Sequence, residues 1–272
     1  MSLPAVRLPI LASLVVIVAT LPRPTSAGEW VSFCGFADVR TAYHSRGVIV
    51  NKDPFSATYA RGRVNLGPFG YVGGWMWNVS SFTGSGQSAI RRYAFHENDF
   101  APEYGYVLDI AEDWQLESTV NWKWVDLQGY KGHPEAMREW NFAQALRNPY
   151  VTPYYLMRYC VDPTYWGYWD VGAYRRCELC KDLSLTPRFF CEFGDGHHFK
   201  KQYGLEDHGS GLQALNLEFR LAYALTEYLD LYASLLQFVI VDPAAREAFR
   251  HSDKVQSVTE LTIFTVGVLT KF

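Results

Sequence analysis

The chain has 272 residues, of which 28 are acidic and 25 are Lys or Arg, so its formal net charge is −3. This balance excludes the basic surface with which proteins hold nucleic acids, and no nucleic-acid partner is expected. Aromatic residues make up 16% of the chain, and the Tyr and Trp among them favour the interface between membrane and water.

Residues 1–27 are predicted to be a cleaved signal peptide. Arg7 precedes an apolar run of about 12 residues, which is too short to cross a bilayer comfortably as a helix. Small residues then lead to a cleavage position after Ala27. The alternative is an uncleaved membrane anchor. Residues 28–272 are expected to form a single domain without a transmembrane helix.

Twelve segments with alternating apolar and polar residues follow the predicted signal peptide. A period of two predicts a β-strand with one apolar and one polar face. In one of them, apolar side chains occupy every second position from Leu215 to Leu225. The segments lie near residues 36–48, 55–66, 69–82, 97–110, 114–128, 138–147, 151–161, 165–177, 183–193, 212–225, 229–241 and 256–272.

The sixth segment is ambiguous, because its Ala, Glu, Gln and Leu residues also favour a short helix. We assign it as a strand because Trp140, Phe142 and Leu146 share a parity. An even number of strands also requires this assignment.

The connections between the segments alternate between short and longer ones. The short connections include residues 67–68, 148–150 and 226–228, whereas residues 83–96 and 194–211 are longer and polar. An up-and-down barrel with tight turns on one side and extended loops on the other produces this pattern.

The apolar faces could pack in the core of a soluble β-sandwich or face lipid. Arg dominates the polar positions, and Arg suits a crowded, hydrogen-bonded interior better than Lys does. Aromatic residues end the apolar faces near the turns and resemble the aromatic girdle of a membrane barrel. The sequence therefore predicts an all-β fold, a closed antiparallel up-and-down transmembrane β-barrel of about 12 strands in contact with outer-membrane lipid. The girdle residues are Phe69, Trp114, Trp169 and Tyr223.

The last segment resembles the C-terminal strand of bacterial outer-membrane β-barrels. The chain ends on Phe272, with Val268, Val266 and Phe264 at alternate positions before it, and Thr270 departs from the pattern. The resemblance implies a bacterial outer membrane and an assembly signal at Phe272 that the barrel assembly machinery reads.

Residues 41–78 resemble the first strands of a family of conserved hypothetical bacterial barrels without an established activity. That family opens with an aromatic residue, an Arg-Gly pair and a short acidic-Pro loop. The resemblance implies the architecture of the chain more than its function. The matching residues are Tyr43, Arg46, Gly47, Asp53 and Pro54.

Parity places charged side chains inside the predicted barrel. A lone charge removed from water costs several kcal/mol, so mutual neutralisation is the first interpretation of these residues. The predicted inward cations are Arg40, Arg46, Arg61, Arg63, Lys123, Arg158, Arg188 and Arg220, and the predicted inward acids are Asp38, Glu103, Asp109, Glu117, Glu139, Asp170, Glu192 and Glu218.

Four of these arginines support a second interpretation. Arg40 and Arg46 are expected on one strand and Arg61 and Arg63 on the next, with only Asp38 as a nearby inward acid. Guanidinium groups bind carboxylates and phosphates through paired hydrogen bonds. The four arginines are therefore a hypothetical site for a small anionic solute, by analogy with narrow, twelve-stranded porins for acidic sugars. Changing Arg61 and Arg63 together to Gln is expected to leave folding nearly intact.

An outer-membrane enzyme that acts on lipid or peptide is the alternative function. Asp207, His208 and Ser210 lie in one predicted outer loop. A triad is recognised by its geometry and not by adjacency in sequence, and neighbouring polar residues in a loop are usually solvated. We therefore assign no catalytic residue and no cofactor.

Cys177 and Cys180 have a Cys-x-x-Cys spacing that suits a zinc site or a disulfide. The nearest histidines, His197 and His198, begin a loop predicted on the opposite side of the membrane, so no metal is expected. The spacing favours a local disulfide, with two free thiols as the alternative.

Taken together, these features predict a barrel exported through a cleaved signal peptide to the bacterial outer membrane. It is expected to be a narrow, porin-like passive channel for small, anionic solutes or a structural barrel. A soluble secreted β-sandwich is a further alternative.

Overall fold

The computed structural model of the protein describes residues 30–46, 48–51, 54–82, 96–128, 136–162, 165–250 and 258–272. The predicted signal peptide lies outside these residues, and so do Gly47 and Asp53 of the family resemblance. The described strands are β1 (Val31–Arg40), β2 (Tyr43–Ser45), β3 (Val48–Asn51), β4 (Phe55–Asn65), β5 (Tyr71–Ser81), β6 (His96–Ala111), β7 (Trp114–Gln128), β8 (Ala136–Arg147), β9 (Thr152–Asp162), β10 (Trp166–Tyr174), β11 (Cys177–Cys180), β12 (Leu183–Gly194), β13 (Gly211–Ala224), β14 (Leu229–Ile240) and β15 (Glu260–Lys271).

Twelve of these strands form one closed antiparallel barrel. Each barrel strand pairs with its neighbour along the chain, β10 pairs with β12, and β1 pairs with β15 from Cys34–Lys271 to Arg40–Thr265. The remaining strands are not counted among these twelve. In the described structure β2 and β3 pair only with each other, and the short β11 pairs with the start of β12. The predicted fold class is confirmed, and a soluble β-sandwich is excluded.

The sixth predicted segment is a strand, because β8 pairs along its length with both β7 and β9. The first predicted segment is wrong in its bounds. The barrel strand covers Val31–Arg40, and the residues after it fold into the separate β2–β3 hairpin. Arg46 at the turn of this hairpin has a φ of 52°, a left-handed conformation that no strand adopts.

The two faces of the barrel wall differ as predicted. On β13 the side chains of Leu217, Phe219, Leu221 and Tyr223 are exposed, whereas the alternate residues Asn216 and Glu218 are buried. The same parity holds on the other barrel strands, where large apolar side chains point outwards and charged ones are buried inside. An apolar exterior around a polar interior is the arrangement of a barrel in lipid.

The two ends of the barrel differ in their connections. Short turns join β4 to β5, β6 to β7, β8 to β9 and β13 to β14 at the end that also holds Trp30 and Phe272, which we call the turn end. The opposite, loop end carries the β2–β3 hairpin and the helices α1 (Gly196–Tyr203) and α2 (Pro243–Arg250). In the described part of the chain, neither helix is long and apolar enough to cross a membrane.

The loop end of the lumen is filled by side chains. Tyr43 of the hairpin packs with Phe55, Val79, Trp166 and other buried residues of the wall. The two helices enclose a second apolar cluster beside the hairpin, built around Phe199, Phe238 and Phe249. The lumen is therefore packed at the loop end.

Cys177 and Cys180 are free thiols, as are the other three cysteines. Both lie on β11, where residues three positions apart along an extended chain are separated by about 10 Å. A disulfide needs Cα atoms roughly 4.4–6.8 Å apart. The structure therefore does not form the disulfide that the spacing favours.

Candidate functional site in the barrel lumen

Arg61 and Arg63 of β4 share one carboxylate on β6. Nε of Arg61 lies 2.7 Å and Nε of Arg63 lies 3.1 Å from Oε1 of Glu103. The strand between them, β5, places Gly73 directly between Arg63 and Glu103 in the register. A Cβ at Gly73 would lie 3.2 Å from the Arg63 side chain, so the glycine lets the arginine reach across a whole strand.

A second carboxylate, that of Glu117 on β7, accepts hydrogen bonds from three side chains. Nη2 of Arg63 and the Tyr71 hydroxyl each donate to Oε1 at 2.8 Å, and Arg147 of β8 donates to Oε2. The Tyr71 ring lies over Gly105, where a Cβ would be 2.1 Å from the ring. The Arg63 guanidinium lies over the Tyr71 ring, 4.1 Å from its centroid. These contacts link β4, β5, β7 and β8 into one network.

A third carboxylate lies on the opposite wall. Nη1 of Arg188 is 3.5 Å from Oε2 of Glu218, and Nη2 of Arg220 is 3.2 Å from Oε1. Nε of Arg188 donates to the Tyr154 hydroxyl at 2.8 Å. Two arginines again share one glutamate.

The arginines of these groups face the lumen more than their partners do. The side chain of Arg61 is 23% exposed and that of Glu103 1%. Arg147 is 51% exposed against 10% for Glu117, and Arg220 is 42% exposed against 12% for Glu218. The guanidinium groups thus form the accessible surface, and the carboxylates lie behind them. We call these five residues the turn-side arginines: Arg61, Arg63, Arg147, Arg188 and Arg220.

A cavity of about 340 Å³ opens on two of the turn-side arginines, Arg63 and Arg147. Arg63, Tyr71, Glu117 and Arg147 line it, together with Gln115 at its rim. Asp109, a predicted inward acid, is exposed at the same rim, where Gln115 donates to its carboxylate at 2.9 Å. This is the part of the lumen at which a solute could meet charged side chains.

The predicted ladder of four arginines needs correction. Arg40 pairs with Asp38 of its own strand, at 2.9 Å through both Nε and Nη2. Arg46 is not on that strand, since it lies at the hairpin turn and donates to Glu139 on β8. Asp38 is therefore not the only acid available, and each of the four has a carboxylate partner, with Arg61 and Arg63 sharing Glu103. Sequence parity could not show the pairing of Arg46, Arg61 and Arg63, because their partners come from other strands.

The loop-side half of the lumen has the opposite balance of charge. Nζ of Lys123 lies 2.9 Å from Asp99 and 3.1 Å from Glu139, and Arg158 lies 3.0 Å from Asp170. The predicted partners Lys123, Arg158 and Glu192 are thus inside the lumen. Glu97 and Asp99 were missed, although they share the parity of Glu103 on the same strand. The carboxylates of this half, which we call the acidic ring, are Glu97, Asp99, Glu139, Asp170 and Glu192.

The residues considered for an enzyme do not assemble into a triad in the described structure. Nε2 of His208 lies 3.1 Å from Oδ2 of Asp242, and its ring stacks on Phe199 at 3.8 Å. His208 therefore ties the two helical loops together. Cys177 lies at the turn end and His198 at the loop end, so the predicted separation of these residues is confirmed.

His198 of α1 packs into the loop end of the barrel without contact with solvent. Its ring lies between Trp166 and Tyr168, and Nε2 is 2.7 Å from Oε1 of Gln213. Burial lowers the pKa of His198 to about 4, whereas an exposed histidine titrates near pH 6.5.

Acidification is expected to loosen helix α1. Below about pH 6.5 His198 binds a proton when the loop is detached, whereas in the docked loop it stays neutral until about pH 4. The free energy that holds the loop in place therefore decreases across this interval by up to about 3 kcal/mol. The protection factors of the amides of residues 196–203, which correct exchange for its intrinsic dependence on pH, should fall from pH 7 to pH 4.5. His198→Asn should weaken this fall, whereas a change at the exposed His197 should not. Equal protection factors at both pH values would contradict the assignment.

Comparisons with known proteins give a fold and no family. A scan against family models found no match, and a search of curated proteins found none. Among solved structures, the NanC porin is 12% identical with a TM-score of 0.51, and the alignment covers 87% of this chain and 100% of that one. The KdgM porin is 9% identical over 89% and 99% of the two chains, with a TM-score of 0.48. The outer membrane phospholipase A from Escherichia coli is 12% identical over 88% and 92%, with a TM-score of 0.44. The chain therefore has the fold of closed outer-membrane β-barrels.

Proposed function

We propose that the protein is a porin-like barrel of the bacterial outer membrane that passes small anionic solutes through a narrow lumen. The observation that carries this proposal is the arrangement of the turn-side arginines, whose guanidinium groups face the lumen while their glutamates are buried behind them. The pairing of all these charges does not remove the preference for anions, because an approaching ion meets the exposed guanidinium groups before the buried carboxylates.

The charge balance supports the same conclusion. Five turn-side arginines share three buried glutamates, and Asp109 lies exposed at the rim of the cavity. A narrow passage with walls of low dielectric constant focuses such a field and raises the local concentration of counter-ions. At 0.1 M salt the Debye length of about 10 Å is comparable to the dimensions of the lumen, so the effect should grow as salt is lowered.

Two observations and one prediction support location in the outer membrane. The exterior of the described barrel strands is apolar, the fold matches that of the NanC porin, and residues 1–27 are predicted to be a signal peptide. Phe272 closes the seam of the barrel, since its backbone N donates to the Phe33 carbonyl at 2.8 Å and its ring stacks on Tyr228. We propose that this residue is also the signal read by the barrel assembly machinery.

The arginine pair Arg147 and Arg220 offers the sharpest test. Changing both to Gln removes two exposed cations, but leaves Glu117 with Arg63 and Glu218 with Arg188. In planar bilayers the wild type should pass chloride in preference to potassium. The double variant should lower that permeability ratio by about two-fold, more at low salt than at high salt.

Arg138→Gln is the matched control, because Arg138 pairs with Asp162 at the exposed loop end and both side chains are more than half exposed. It should leave the permeability ratio unchanged. A wild-type reversal potential that indicates cation preference would overturn the proposal.

A structural barrel is the second candidate, and the packed loop end of the lumen favours it. It predicts that no variant of the lumen conducts ions. Absence of current from the wild type and from a variant whose loop-end packing is opened would favour the structural role over the channel.

A further inference from the structure

The β2–β3 hairpin folds into the lumen and contacts its wall on several sides. The Tyr43 hydroxyl donates to Glu97 on β6 at 2.7 Å, and Nε2 of His44 lies 3.2 Å from Oε2 of Glu192 on β12. Arg46 reaches Glu139 on β8. These three strands are separated around the barrel, so the hairpin spans the passage.

Arg46 is a largely enclosed cation of the hairpin, with its side chain 10% exposed. Its Nη2 and Nε lie 2.7 and 3.1 Å from Oε1 of Glu139, and its guanidinium lies 5.7 Å from the centre of the Trp166 ring. The Gln213 amide donates to its carbonyl at 3.1 Å. A non-glycine residue at a φ of 52° is uncommon, and here the side-chain and backbone contacts hold it in place.

The wall around Arg46 carries more acids than cations. The acidic ring has five carboxylates, and the wall itself supplies Lys123 and Arg158. Oδ1 of Asp99 and Oδ1 of Asp170 are buried and accept no hydrogen bond from the residues that the structure describes. Arg46, His44 and Tyr43 of the hairpin bring further positive and polar groups to this ring.

We infer that the acidic ring is a binding site for a guanidinium group, which the chain fills with its own Arg46, and that the hairpin is thereby held as a plug. The guanidinium site is inferred from the contacts within the lumen alone. The plug rests on the proposed channel function, because a plug has meaning only if solutes otherwise pass.

Replacing Arg46 and adding guanidinium ion from solution tests the site. Arg46→Ala should raise the conductance of reconstituted barrels by about tenfold, as expected when one buried charge-assisted contact no longer favours the closed state. About 10 mM guanidinium chloride should restore the closed state, because the planar ion supplies the same paired N–H groups to Glu139. Tetramethylammonium, which has the charge without donors, should have little effect.

A binding measurement separates the site from the channel. Guanidinium at the same concentration should raise the Tm of Arg46→Ala in detergent and leave the wild type unchanged, since its site is full. If Tm rises selectively but no variant conducts, the site stands, whereas the plug and the channel function fail. If Arg46→Ala conducts but responds to guanidinium in neither assay, the guanidinium site is overturned and the channel function stands.

Two features allow the folding of the Arg46→Ala variant to be checked. Glu139 keeps Lys123 at 3.1 Å when Arg46 is removed, so no carboxylate loses its last cation. A gel shift between unheated and heated samples reports the closed barrel. Arg46→Gln is a second variant that keeps a polar side chain at the turn and should respond to guanidinium in the same way. Arg138→Ala at the exposed loop end should change neither conductance nor Tm.

Discussion

Phe219→Arg is expected to reduce the amount of assembled barrel sharply. Phe219 lies on the outer face of β13, where it is 42% exposed between Pro187 of β12 and Leu235 of β14. An arginine on the lipid side of a barrel strand costs roughly 2–4 kcal/mol near the middle of the bilayer and less near its surfaces. The assembled fraction can be measured as the band that migrates faster before heating, in membranes that resist carbonate extraction.

Ala222→Ser provides the control on the same strand. Ala222 has the inward parity of Glu218 and Arg220, so a small hydroxyl there meets the polar lumen and should be tolerated. Leu217→Arg repeats the test on the outer face, two residues from Phe219. If both faces tolerate their substitutions equally, the assignment of β13 to lipid on one side and lumen on the other is wrong.

The strand pattern was predictable because one physical rule governs every barrel strand. Outward positions must be apolar and inward positions must suit a crowded polar interior, which produces a period of two from β4 to β15. The rule failed at the first strand. The predicted segment covers residues 36–48, but the barrel strand ends at Arg40, and Tyr43–Ser45 pairs with Val48–Asn51 in a separate hairpin inside the lumen. Alternation identifies extended chain but does not identify its partner.

The candidate site was predictable in its residues and not in its pairing. Parity places Arg61, Arg63 and Glu103 inside correctly, since each inward position follows from local sequence. Their contact depends on Gly73, which leaves room for a side chain to cross β5. Similarly, Arg46 meets Glu139 only because the hairpin turns back into the barrel. Contacts of this kind depend on strand order and register, which a single sequence does not contain.

The pairing reverses one expectation from the sequence. Changing Arg61 and Arg63 together to Gln was expected to leave folding nearly intact, but the structure shows that both arginines serve Glu103, whose side chain is 1% exposed. Removal of both leaves a buried carboxylate without a cation, and breaking a buried pair in this way typically costs about 3–5 kcal/mol. The double variant should therefore unfold at a clearly lower urea concentration than the wild type. Arg61→Gln alone should cost much less, because Arg63 remains 3.1 Å from the same carboxylate.

Neutralising the carboxylate distinguishes lost pairing from lost packing. When Glu103→Gln is added to the Arg61→Gln and Arg63→Gln variant, the buried charge disappears, and the amide can donate to and accept from its new neighbours. Most of the lost stability should then return, even though the triple variant contains no more ion pairs than the double variant. If the triple variant is as unstable as the double one, the arginines stabilise the barrel through their own packing against Tyr71 and Trp75, and the shared carboxylate is not the cause. If the double variant costs no more than the sum of the two single ones, the sharing itself has no energetic consequence, because two partners of one carboxylate must be non-additive.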